Sequence, residues 1–67
     1  MVTTKPMTVS YGWVKRVAES MSGRVDLIQY SNGVRAEIFK PSADEPEGGV
    51  FFPGVTLETI TDESIGS

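Results

Sequence analysis

Few side chains in this sequence are equipped to make or break bonds. Neither His nor Cys occurs among the 67 residues. Ser–His and Cys–His nucleophile pairs therefore cannot be built. Ser10 and Lys15 share a neighbourhood, the arrangement of a Ser–Lys nucleophile. Such a serine also needs an orienting third group and an oxyanion site. The pair reads instead as a helix cap and a solvated charge. Carboxylates recur at Asp44, Glu45 and Glu47, and again at Asp62 and Glu63. Paired carboxylates can serve as acid and base, but a general acid needs burial to stay protonated near neutral pH. Both groups lie in segments without apolar neighbours, so they read as solvating acids. They also lack the alternating ligand loop and central glycine of a calcium site. Gly48-Gly49 precedes no Gly-Lys-Ser/Thr and opens no helix, so it is not a phosphate cradle. No catalytic residue, metal or cofactor is expected.

What remains is shape and charge. Residues 1–40 hold all six basic side chains and three acids, whereas residues 41–67 hold six acids and no base. Asymmetry of this kind marks an interaction surface or an internal charge match. Asp44, Glu45 and Glu47 are candidates to steer the chain to a basic protein surface. Lys15, Arg16, Arg24, Arg35 and Lys40, with Tyr11, Trp13 and Tyr30 to stack on bases, form the alternative, a nucleic-acid-binding set. The net charge of −3 and pI near 4.6 speak against it. Trp13, Phe51 and Phe52 are candidate anchors for a partner. Phe51 and Phe52 are consecutive, so a strand sends them to opposite faces and only one can enter a given core.

The elements that must position these residues follow from patterning. Eight Val, four Ile and six Thr against two Leu and three Ala favour a sheet-rich domain. Residues 1–7 read as a loose arm. Tyr11, Val14, Ala18 and Met21 recur at helical spacing, predicting a helix over 10–22 with Ser10 or Thr8 as N-cap and Gly23 as a left-handed cap. The alternation of Met7, Val9, Tyr11 and Trp13 is the rival strand reading. Residues 24–30 and 34–40 flank Ser31-Asn32-Gly33 and predict a β-hairpin. A two-residue Asn32-Gly33 turn would set Leu27 opposite Ile38. The preferred reading is a three-residue loop with Gly33 left-handed. It sets Tyr30 opposite Val34 and Ile28 opposite Ala36, and sends Val25, Leu27 and Phe39 to the more polar face. Residues 40–49 read as a mobile acidic loop, and 50–52 and 55–60 as two short strands joined by a Pro53-Gly54 turn. Residues 61–67 read as a polar tail that only Ile65 could tie down.

These elements predict one α+β domain over residues 1–67. A helix packs on an antiparallel sheet of three or four strands, with a small all-β barrel or meander as the alternative. A chain this short has a thin core, and without Cys or His self-association is the remaining staple, so a homodimer is open. No targeting signal or membrane-spanning run is visible, and the lack of Cys fits a cytoplasmic setting. The function expected is non-catalytic: binding to another protein with a basic surface, as modulator, inhibitor or assembly subunit. Nucleic-acid binding is the alternative.

Overall fold

The computed structural model describes residues 8–67; the arm expected at residues 1–7 lies outside the described residues. The elements run β1 (Val9–Ser10), α1 (Tyr11–Ser20), β2 (Arg24–Tyr30), β3 (Gly33–Phe39), β4 (Gly48–Pro53) and β5 (Ile65–Gly66). They form an α+β fold with one helix, a three-stranded antiparallel sheet ordered β2-β3-β4, and a two-stranded pair of β1 with β5. The strands do not close into a barrel.

Helix α1 forms roughly where the apolar period predicts, over Tyr11–Ser20 rather than 10–22. Ser10 caps it, its hydroxyl accepting from the Trp13 N–H at 3.2 Å. At the other end Ser22, not Gly23, takes the left-handed conformation, with φ 58°. The Gly23 N–H then reaches Ala18 O and the Ser22 N–H reaches Glu19 O, a Schellman closure. Val14 and Ala18 are buried, and Tyr11 packs edge-on against Phe52 with ring centroids 5.8 Å apart. The strand reading of the N-terminal segment survives only at Val9–Ser10.

The hairpin register differs from both expected alternatives. Ser31-Asn32 is the turn, Tyr30 pairs with Gly33, Leu27 with Ala36, and Val25 with Ile38. Val25 and Leu27 therefore face the helix, while Ile28 and Tyr30 face away. Parity explains the correction. Arg24 and Asp26 lie on the same side of β2 as Ile28 and Tyr30, so turning those two inward would have placed Asp26 opposite Ile38 in the core. A buried unpaired carboxylate costs more than two exposed apolar side chains. Gly33 is not a left-handed bulge but the first residue of β3, with φ 157°.

The core cluster is Val14, Ala36 and Phe52, joined by partly buried Val9, Tyr11, Val25, Leu27, Ile38, Val50, Val55 and Ile60. β4 is longer than expected, and residues 55–60 are not a strand. Thr56 Oγ1 accepts from the Thr59 N–H at 3.2 Å and Thr59 Oγ1 accepts from the Thr56 N–H at 2.8 Å. The Ile60 N–H closes on Thr56 O at 2.9 Å. These hydroxyls offer the backbone a turn in place of a ladder, and it still delivers Val55 and Ile60 to the core. Thr61 and Ser64 repeat the device, the Thr61 N–H donating to Ser64 Oγ at 2.9 Å. The tail is tied down by backbone rather than by Ile65, which is 55% exposed. β5 pairs with β1, and Ser67 exchanges two hydrogen bonds with Phe51. Gly66 lies between them, where a β-carbon would strike the Phe51 carbonyl oxygen and come within 2.8 Å of the Phe52 ring.

Candidate functional site

Helix α1 covers one face of the three-stranded sheet. The side chains of the other face can be read across the strands. Asp26 stands opposite Glu37, a like-charged pair that alone would destabilise the sheet. Arg24 and Arg35 flank it. Arg24 Nε lies 3.7 Å from Asp26 Oδ1 and Arg35 Nε lies 3.3 Å from Glu37 Oε2. The Arg24 guanidinium also lies 4.3 Å from the centroid of the Phe39 ring, which explains how Phe39 is buried on the face away from the helix. Next come Ile28, Arg35 and Phe51 side by side, then Tyr30 beside Gly33 and Pro53. The Tyr30 and Phe51 rings are tilted at 55° with centroids 6.4 Å apart. Tyr30 is 46% exposed. One end of this face is thus apolar and aromatic, and the other is charged.

The acidic loop borders the charged end. Arg24 Nη2 donates to Ala43 O at 3.5 Å, Lys40 Nζ pairs with Glu47 Oε1 at 3.6 Å, and the Glu47 N–H donates to Ile38 O at 2.7 Å. Glu47 therefore closes the base of the loop. Asp44 and Glu45 are exposed and make no ion pair among the described residues.

The candidate anchors separate. Phe52 is fully buried in the core, which removes it as a contact residue, and Phe51 is the outward member of the pair. Trp13, 55% exposed, lies on the helix side of the sheet, away from Phe51. It borders an open, polar groove of about 450 Å³ with Ser10, Gly12, Lys15, Arg16, Glu19 and Asp62. Lys15 Nζ contacts Asp62 Oδ1 at 2.7 Å and lies 5.0 Å from the Tyr11 ring centroid. The hydrogen bond to Asp62 holds the Lys15 ammonium above its ordinary pKa, against some desolvation. The first N–H groups of α1 are already taken, by Ser64 O, Asp62 O and Ser10 Oγ.

The basic set does not form one surface either. Lys15 and Arg16 lie on the helix, while Arg24 and Arg35 lie on the opposite sheet face and Lys40 lies at its end. Four of these five are paired with carboxylates, and only Arg16 has none within 4.0 Å among the described residues. Tyr30 and Ile28 lie outside rather than on the core face expected from the three-residue loop; their shared parity with Arg24 and Asp26 is the sequence signal for it.

Among the described residues no three His, Cys, Asp or Glu side chains come together to hold a metal, no polar side chain is buried, and no helix is long and apolar enough to cross a membrane. No family model, no curated protein and no solved structure matches the chain.

Proposed function

We propose that this chain is a small non-catalytic protein-binding module, a modulator or inhibitor of a larger protein or a subunit of an assembly. It engages its partner with the helix-free face of the three-stranded sheet. The observation that carries this reading is the pairing of exposed Tyr30 with Phe51 at one end of that face, with the exposed carboxylates of Asp44 and Glu45, which make no ion pair among the described residues, bordering the other. Seven residues of strand separate the two ends by about 20 Å. Aromatic anchors supply binding energy at such surfaces, and unpaired rim charges supply steering. The partner this suits has an apolar patch rimmed by Lys or Arg. Trp13, on the other side of the sheet, is not part of the same footprint.

Nucleic acid fits less well. A phosphate would have to displace in-chain carboxylates from Lys15, Arg24, Arg35 and Lys40, which are divided between opposite sides of the sheet.

The test is a pull-down from native host extract with the wild-type chain and with a folded Tyr30→Ser/Phe51→Ser variant. A specific partner should be retained by the first and weakened about thirtyfold or more by the variant. Replacing Asp44, Glu45 and Glu47 with Ser should slow association at low salt. Equal retention of every captured protein by all three chains, or a mobility shift with generic DNA or RNA at low salt, sinks the proposal.

A further inference from the structure

β2 is an edge strand, and the phase of its hydrogen bonding follows from the hairpin. A two-residue turn is closed by a hydrogen-bonded pair, here Tyr30 and Gly33, so every second residue back along β2 bonds to β3. The far edge corroborates this phase. With Gly33, Arg35 and Glu37 bonding to β2, the ladder between β3 and β4 runs through Val34, Ala36 and Ile38 and leaves the backbone of Phe51 pointing outward. Phe51 indeed bonds outward to Ser67, and Pro53, which has no N–H, falls at a position that needs none. The N–H and C=O groups of Val25, Leu27 and Gln29 therefore point away from the sheet. Among the described residues they have no hydrogen-bond partner. The β4 edge is covered at Phe51; β2 has no strand beside it on its outer side, and its seven residues include no proline. Natural edges are usually blunted against pairing.

We infer that β2 pairs antiparallel with β2 of a second copy, across a two-fold axis at Leu27, making one six-stranded sheet. This register alone pairs all seven residues. It sets Arg24 against the second copy's Tyr30 ring and Asp26 against its Ile28, with no like charges opposed. Centring on Asp26 instead would set that carboxylate against itself. The helix side borders the seam too. Lys15 and Glu19, opposite charges one turn apart, overlook this edge from the rim of a groove of about 230 Å³ above Val25. The two-fold axis runs the two helices antiparallel on the same side of the extended sheet, so each Glu19 comes to the seam while Lys15 stays on Asp62 of its own chain. A thin core without disulfides gains most from such continuation.

The inference concerns the chain alone and stands apart from the binding proposal above. Its test combines sedimentation over a concentration series with amide hydrogen exchange on the full chain. A dimer is expected, with the Val25, Leu27 and Gln29 amides gaining protection as concentration rises while Asp26 and Ile28 stay protected throughout. Ile28→Glu places its charge beside Arg35 within its own chain but against Asp26 across the axis, twice. It should raise the dimer Kd about tenfold, and Ile28→Lys should lower it. A monomer at every concentration overturns the inference, as does a dimer whose three amides exchange freely. The same holds for three amides already protected in the most dilute sample, or protected only when a foreign protein is added.

Discussion

A β-carbon on Gly33 would collide with the carbonyl oxygen of Phe52 and come within 2.7 Å of Phe51 Cζ. Gly33 also has φ 157°, outside the range L side chains readily adopt. The Phe51 ring fills the space a side chain at Gly33 would need, so the aromatic end of the open face and the first residue of β3 depend on each other.

Gly33→Ala should therefore destabilise the fold by about 2–4 kcal/mol. A domain of this length has roughly 3–10 kcal/mol to lose. Urea unfolding monitored by Trp13 fluorescence measures the loss. Gly48→Ala, where a β-carbon meets nothing within 4 Å, is the control and should stay within about 0.5 kcal/mol of wild type.

Phe51 and Phe52 are adjacent in sequence and opposite in role. Phe52→Ala empties a fully buried site in the core cluster and should cost about 3–5 kcal/mol, enough to unfold much of the population. Phe51→Ala, on the outer face beside Tyr30, Gly33 and Arg35, should cost about 1 kcal/mol. Comparing the two by thermal unfolding checks the assignment of faces; equal losses would mean the sheet is inverted.

Arg35→Gln leaves Glu37 and Asp26 facing each other with less compensating charge. It should cost about 1 kcal/mol at low salt, and adding Asp26→Asn should recover about half of it. A double-mutant cycle in urea reads this coupling. Additive losses would show that the flanking arginine does not offset the cross-strand repulsion.

The helix and the hairpin were legible in the sequence because their periods are long and their punctuation is strong. Ser10 and the Tyr11–Val14–Ala18 spacing located α1 roughly; it runs over Tyr11–Ser20 rather than 10–22. The register was not, because Leu27 and Ile28 are both apolar and either could enter a core; the deciding information was the charge at Arg24 and Asp26, at the far end of β2 from the turn. Residues 55–60 misled for a different reason. Their β-branched content favours a strand, but Thr56 and Thr59 stand three apart and bond each other's backbone. The same spacing at Thr61 and Ser64 is the signal that the tail folds back. Of the candidate site, the acidic loop and the division of Phe51 from Phe52 could be read directly, whereas Tyr30 as a surface anchor required the register first.

The tail's hold on the body predicts a pH dependence whose sign is fixed by Lys15. Its ammonium pairs with Asp62 at 2.7 Å, next to the backbone bond from the Gly12 N–H to Asp62 O. The pair holds the folded-state pKa above the ordinary value of 10.5, chiefly through the hydrogen bond to Asp62. Folding thus favours the protonated lysine. The stabilisation is fully present below 10.5 and is lost as pH rises through the higher folded-state value. Other groups titrate in the same alkaline range, so the measurement is the difference between wild type and Lys15→Met. That difference should be constant near neutral pH, shrink in strong base, and shrink again in high salt because both partners are solvent-exposed. Asp62→Asn should abolish the same pH-dependent component, since it removes the acceptor that raises the lysine. A difference that grows in base would show that the ammonium is strained rather than held by its contact with Asp62.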